Sequence, residues 1–168
     1  MATDVITGEF KDLSSCHALT LSRGGRTALL SGKRLYGLVT IADTLTLNAK
    51  IARKSKHVLR DLKFSRLRDD LLAEASDHRL VLLSVASGSL LADPDQSPRL
   101  HSREISCLDW HPLQHNLIAA ASLDRSVSVW DIREHFKRPC MKITNNSTFP
   151  SKVSWEKVRV TYRIGHIV

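Results

Sequence analysis

The chain has 168 residues, 42% of them hydrophobic and 25% charged, a composition that supports one folded domain and excludes wholesale disorder. Its net charge of +8 permits an acidic protein, a nucleic acid or an anionic membrane surface as partner and selects none of them. Three cysteines without a C-x-x-C pair disfavour a disulfide framework or a zinc site. Because there is no signal-peptide pattern and no apolar run of membrane-spanning length, we expect a cytoplasmic protein.

Residues 1–15 precede the first repeat, and the β-type run within them is a candidate closing strand for a ring of sheets, with a frayed terminus as the alternative. Residues 16–49 then show short apolar runs separated by glycine-bearing turns, which is the pattern of antiparallel strands. We therefore predict a first small antiparallel sheet, or blade, over these residues. Its predicted strands are Ala18–Leu21, Thr27–Ser31 and Leu35–Ile41.

A strongly basic segment follows at residues 50–68, where eight Lys and Arg side chains stand against the single acid Asp61. Such a cluster favours an acidic partner or a phosphate-bearing surface, and the alternative is a solvated connection between two blades. Phe64 is the segment's one aromatic residue, so a stacking platform for single-stranded nucleic acid is disfavoured. The candidate partner contacts in this segment are Arg53, Lys54 and Lys56.

Residues 50–92 contain the second predicted blade. Leu62 and Phe64 share one side of its first strand, and Asp77 opens a tight turn between the next two strands. Asp77 lies 47 residues before Asp124, close to the ~40–45-residue period of WD repeats. The two strands that flank the turn are predicted at Leu71–Ser76 and Leu80–Ser84.

Residues 100–144 carry the best-formed repeat, which includes the Trp-Asp ending that is typical of WD repeats. A His before the first strand, a Ser on the second, an Asp in the next turn and a Trp on the third are expected to form a buried hydrogen-bond chain. The indole N–H only donates and the carboxylate accepts, so the chain can hold the blade together. The residues predicted for it are His101, Ser122, Asp124 and Trp130. The predicted strands are Ile105–Trp110, Leu117–Ser122, Ser126–Ile132 and the outer strand Met141–Thr144.

A fourth blade begins at residues 151–155, where Trp155 repeats the place of Trp110, and the tail 156–168 matches no repeat. Three blades and one strand cannot close a ring, because even small propellers need about four blades. We therefore expect an all-β fold, a partial WD40 β-propeller of about three blades. Its chain is expected to be a fragment, a truncated or mis-spliced product, or a subunit whose ring a partner completes.

The sequence lacks phosphate-binding glycine loops, a nucleophile elbow and an H-E-x-x-H zinc motif. We predict no catalytic, metal or cofactor site, and therefore a protein that is not an enzyme. The run Trp130–Arg133 fits W-D-x-R, which resembles the docking motif of propeller substrate receptors of cullin-type ubiquitin ligases, so Arg133 is a further candidate contact. Such a receptor, or a basic RNA- or DNA-binding WD protein, is the alternative to a plain scaffold.

Several stretches occur in the order in which one family carries them, and three of these, Glu9–Asp12, Ala28–Tyr36 and Lys50–Lys56, are not general WD features. On these stretches the chain resembles the family of WD repeat-containing protein 59, the WD-repeat subunit of the GATOR assembly (SEA in yeast). The other matching stretches are Arg103–Trp110, Val129–Ile132, Arg138-Pro139 and Ser151–Trp155.

The resemblance implies a non-enzymatic scaffold whose partners are protein subunits of a larger complex, among them other WD-repeat proteins. That complex signals amino-acid status to the target-of-rapamycin kinase, so peripheral association with the lysosomal or vacuolar surface is expected as well. Members of the family are several times longer and carry a C-terminal zinc module rich in cysteine and histidine. Nothing in this chain matches that module, so its zinc chemistry is not carried over.

Overall fold

The computed structural model describes residues 18–25, 27–31, 35–41, 47–54, 57–84, 99–144, 150 and 152–155. Within these ranges the secondary structure consists of β-strands and a single 3₁₀ turn, and the strands form three antiparallel sheets. The predicted closing strand in residues 1–15 and the tail 156–168 lie outside the described residues.

The first sheet has the strand order β1-β2-β3-β4, with each strand paired to the next along the chain. The bounds of its first three strands are those predicted from the sequence. The fourth strand was not predicted, and it crosses the expected blade boundary at residues 49 and 50. Its apolar residues alternate with polar ones, but its Lys and Arg content suggested a linker. The strands are β1 (Ala18–Leu21), β2 (Thr27–Ser31), β3 (Leu35–Ile41) and β4 (Leu47–Lys54).

The second sheet has the order β5-β6-β7 in the described residues. Every residue of β6 is buried, Glu74 included, because the strand lies in the middle of its sheet. The turn between β6 and β7 is tight and holds Asp77 at a φ of 52°, a conformation that Asp tolerates better than most residues. The strands are β5 (Leu59–Phe64), β6 (Leu71–Ser76) and β7 (Arg79–Ser84), the last beginning one residue earlier than predicted.

The third sheet has the order β8-β9-β10-β11. Its third strand ends at Asp131 rather than at Ile132, because the Asp131 carboxylate accepts a hydrogen bond from the Arg133 backbone N–H and caps the 3₁₀ turn Ile132–Glu134. The strands are β8 (Ile105–Trp110), β9 (Leu117–Ser122), β10 (Ser126–Asp131) and β11 (Met141–Thr144).

The core lies between the sheets, since alternation along β6 sends successive side chains to opposite neighbours. Leu71 and Ala73 are fully buried against the third sheet, whereas Leu72 belongs to a separate cluster on the opposite face. The larger cluster joins the second and third sheets through Leu80, Leu82, Leu108, Trp110, Ile118, Ala120, Trp130 and Phe136. Antiparallel sheets that repeat along the chain and stack face against face form a partial WD40 β-propeller, which confirms the predicted fold class.

Candidate functional site

A chain of side-chain hydrogen bonds runs through the third sheet from its edge to its core. The Trp130 indole N–H donates to the Ser128 hydroxyl at 2.6 Å, and that hydroxyl lies 2.6 Å from His101 Nε2. The other ring nitrogen, His101 Nδ1, lies 3.0 Å from Asp124 Oδ2. Ser126 closes the arrangement, because its backbone N–H and its hydroxyl both donate to the Asp124 carboxylate. These five residues are termed the blade network below.

The hydroxyl that joins His101 to Trp130 thus belongs to Ser128 and not to Ser122, the serine expected from the sequence. Ser122 ends β9, where its hydroxyl donates to the backbone carbonyls of Arg103 and Glu104 and accepts the Asp124 backbone N–H. Because side chains alternate along a strand, Ser128 shares one face of β10 with Trp130, two residues further on. The alternating run S-V-S-V-W is the signal in the sequence that points to it.

The protonation states of His101 and Asp124 follow from burial and from the hydrogen bonds that each group makes in the blade network. Burial lowers the pKa of His101, and the neighbouring Asp124 offsets this only in part, so the ring is neutral near pH 7. A neutral ring with its proton on Nδ1 donates to Asp124 and leaves Nε2 to accept the Ser128 hydroxyl. Burial raises the pKa of Asp124, but the hydrogen bonds from Ser126, Ser102 and His101 outweigh it and bring the pKa to about 2.

The second sheet contains a histidine–aspartate pair like the one in this network. His57 Nδ1 lies 2.9 Å from Asp77 Oδ2, and the pair occupies the places that His101 and Asp124 hold in the third sheet. The places of Ser128 and Trp130 are taken by apolar residues of β7. His57 was missed from the sequence, although it stands 44 residues before His101, at the spacing of the repeat.

Carboxylates of the first strands tie each sheet to the next. Asp61 on β5 accepts the backbone N–H of Leu108 on β8 at 2.8 Å, and desolvation by burial raises its pKa. Asp109 on β8 accepts two hydrogen bonds from the Arg66 guanidinium, at 2.9 and 3.1 Å, and the Trp155 backbone N–H at 2.9 Å. Contacts between residues more than 40 positions apart therefore hold each sheet against the next one along the chain.

Two tryptophans make the same contact one repeat apart. The Trp110 indole N–H donates to the Lys63 carbonyl at 2.9 Å, and the Trp155 indole N–H donates to the Asp109 carbonyl at 3.0 Å. Residues 152–155 form no strand, but Val153 and Trp155 pack on the third sheet, and the Trp155 ring lies edge-on to His111 with ring centroids 4.5 Å apart. They hold the position that the first strand of a following sheet would take.

The candidate partner contacts fall in two separate places. Arg53 and Lys54 end β4, the outermost strand of the first sheet, opposite Tyr36 and Leu35. Lys56 lies outside the described residues.

Arg133 lies elsewhere, on the 3₁₀ turn after β10, and its side chain is 70% exposed. Its guanidinium donates to both oxygens of Asp131, and these bonds bring the pKa of Asp131 to about 2.

Cys107 is half-buried on β8, and desolvation raises the pKa of its thiol to about 11, so the nucleophilic thiolate is scarce at neutral pH. In the described ranges no three His, Cys, Asp or Glu side chains group as a metal site would require. No helix in the same ranges is long and apolar enough to cross a membrane.

No family model matches the chain. Three curated relatives carry the name GATOR2 complex protein WDR59: the Mus musculus protein is 26% identical over 96% of this chain, and the Homo sapiens and Gallus gallus proteins are 26% identical over 93% of it. Each match covers 16% of the relative, so the chain spans about one sixth of the length of these proteins. The similarity confirms the resemblance that the sequence motifs predicted.

Proposed function

We propose that the chain is a non-enzymatic WD-repeat scaffold that joins a GATOR2-type complex, called SEA in yeast. The observation that carries the proposal is similarity to a protein named for that complex over 93–96% of this chain. The blade network supports a scaffold role, because its donors and acceptors bond to one another within the sheet. The mechanism is non-covalent docking of partner subunits on loops and sheet edges.

The first sheet offers the contact surface that we propose for these partners. Its edge strand β4 ends in Arg53 and Lys54, and Lys56 follows shortly after. A cluster of positive charge on an edge strand resists pairing with other strands and attracts an acidic surface instead. The chain's net charge of +8 favours the same kind of partner.

Affinity capture from cells tests the proposal directly. The tagged 168-residue chain is expected to recover subunits of the GATOR2-type complex, identified by mass spectrometry. Reversal of Arg53, Lys54 and Lys56 to Glu should weaken the capture without lowering the melting temperature. The matched control reverses three exposed basic residues at and beside the outer strand of the third sheet, Lys137, Arg138 and Lys142. If capture is unchanged when Arg53, Lys54 and Lys56 are reversed, or falls equally in the control variant, these three residues do not form the contact surface.

A role in amino-acid signalling to the target-of-rapamycin kinase, at the lysosomal or vacuolar surface, is the cellular consequence of that assembly. Removal of the gene should change how phosphorylation of a substrate of that kinase responds to amino-acid withdrawal. The charge-reversed variant should fail to restore the response, and the control variant should restore it. If both variants restore the response, the signalling role does not depend on the proposed contact surface.

A ubiquitin-ligase receptor is the second candidate, and one observation favours it. The Arg133 side chain is 70% exposed at the end of the W-D-x-R run, where an adaptor protein can reach it. Arg133→Ala should then abolish capture of the ligase adaptor while capture of the GATOR2-type subunits is unchanged. If the adaptor is absent from the wild-type capture, this candidate is excluded.

A further inference from the structure

Five arginines lie at one end of the second and third sheets. The turn between β6 and β7, the segment 99–104 and the turn between β9 and β10 meet there. Backbone hydrogen bonds join them, from Leu100 N–H to the His78 carbonyl and from Leu123 N–H to the Glu104 carbonyl. This surface is termed the arginine face, and its cations are Arg60, Arg79, Arg99, Arg103 and Arg125.

The acids of the arginine face are already engaged within the protein. Asp77 contacts His57, Asp124 serves the blade network, and Glu104 pairs with Arg60. Arg99 and Arg103 are both exposed, and neither forms an ion pair with the residues that the structure describes. Positive charge on this face is therefore left without internal compensation.

The opposite end of the same sheets differs. Three of the four arginines described there are held by a carboxylate, in the pairs Arg66–Asp109, Arg68–Asp70 and Arg133–Asp131. Arg99 and Arg103 thus present unpaired positive charge at one end of the sheets, where a partner approaching from solvent meets it.

Two adjoining recesses give the arginine face a shape. The first, of about 570 Å³, lies between the second and third sheets and is lined by Val58, Arg60, Glu104 and Leu123, among others. The second, of about 480 Å³, is lined by residues that include Arg103, Leu123 and Arg125. Leu123 is 37% exposed and lines both recesses. An apolar side chain beside a recess that carries two arginines suits an apolar side chain next to a carboxylate.

We propose that the arginine face binds an extended acidic segment of a partner protein, with an apolar side chain seated on Leu123 and a carboxylate on Arg103. Arg–carboxylate pairing is favoured because the planar guanidinium meets two carboxylate oxygens at once. A nucleic acid suits the face less well, since no aromatic side chain lines either recess for base stacking. The proposal holds whichever complex the chain joins.

Fluorescence anisotropy with the whole chain provides the test. The probe is a short labelled peptide of Glu, Asp and Leu, compared with a peptide in which Gln and Asn replace the acids. The acidic peptide should bind at least about tenfold more tightly, and its affinity should fall as salt is raised. Equal affinity for the two peptides, or no binding of either, overturns the proposal.

Matched variants locate the site. Arg103→Glu should weaken binding of the acidic peptide by at least about tenfold, whereas Arg138→Glu, an equal charge change at an exposed site, should alter it by less than about twofold. Arg103→Gln should give an intermediate loss, and melting curves should show that all three variants remain folded. An equal loss in Arg103→Glu and Arg138→Glu overturns the proposal. So does tighter binding of polyuridylate RNA or phosphatidylserine vesicles that displaces the peptide.

Discussion

Ser128 gives the most direct test of the blade network, because both of its neighbours use its hydroxyl. In Ser128→Ala the Trp130 indole N–H and His101 Nε2 lose their partner together, at a position that is 0% exposed. An unpaired buried polar group costs about 1–3 kcal/mol, so two of them lower the free energy of unfolding by about 2–6 kcal/mol. In a chain of this length the melting temperature should fall by roughly 4–24 °C.

Circular dichroism melts and urea titrations measure the loss. Ser102→Ala is the matched control, since its side chain is exposed and its hydroxyl lies 3.4 Å from Asp124 Oδ2, at the limit of a hydrogen bond. The control should change the free energy of unfolding by no more than about 0.5 kcal/mol. If Ser128→Ala melts within error of the control, the hydroxyl does not hold the network.

A double-mutant cycle separates the network from simple loss of packing. Trp130→Phe removes the indole donor, so Ser128→Ala in that background leaves only His101 Nε2 without its partner. The loss caused by Ser128→Ala should therefore shrink by about 1–3 kcal/mol in the Phe background. Equal losses in the two backgrounds would refute the reasoning, because they mean that the serine and the tryptophan act independently.

Three further predictions concern single groups. Because the pKa of Asp124 is about 2 in the folded state, below its ordinary value of 3.8 in an unfolded chain, its contribution to stability is present above pH 3.8 and lost as pH falls toward 2. The melting-temperature difference between the wild type and Asp124→Asn should shrink over that range, and a constant difference would contradict the assignment. His135 has a φ of 49°, so His135→Gly should raise the free energy of unfolding by about 1 kcal/mol in urea titrations, and a decrease would show that the imidazole makes a stabilising contact. Exposed Cys140 should react with a thiol reagent at pH 8 well before Cys107, because the pKa of the Cys107 thiol is about 11. Mass spectrometry of the labelled peptides gives the order of reaction. The reverse order would mean that β8 opens readily.

The strands were predictable because their signals are local. Apolar runs, period-two alternation and turn residues set the bounds of β1, β2 and β3, and the same signals fixed β8 and β9. The strand β4 was not predicted, because its alternation of apolar and polar residues is interrupted near Arg53 and Lys54, where positive charge dominates the sequence pattern.

The site was predictable only in part. His101, Asp124 and Trp130 lie in the blade network as expected, but the choice of serine depended on which strand face meets the histidine. Contacts such as Asp61 with the Leu108 backbone N–H join residues 47 positions apart, and they arise from the stacking of sheets rather than from any local pattern. The arginine face has the same origin, because three separate turns must meet before its charges become neighbours.

The indole contacts of Trp110 and Trp155 impose a direction on folding. Each tryptophan reaches back to a carbonyl on the first strand of the sheet before it, so each sheet needs its predecessor to be in place. Docking can then proceed from the N-terminus as the chain emerges from the ribosome, one sheet after another.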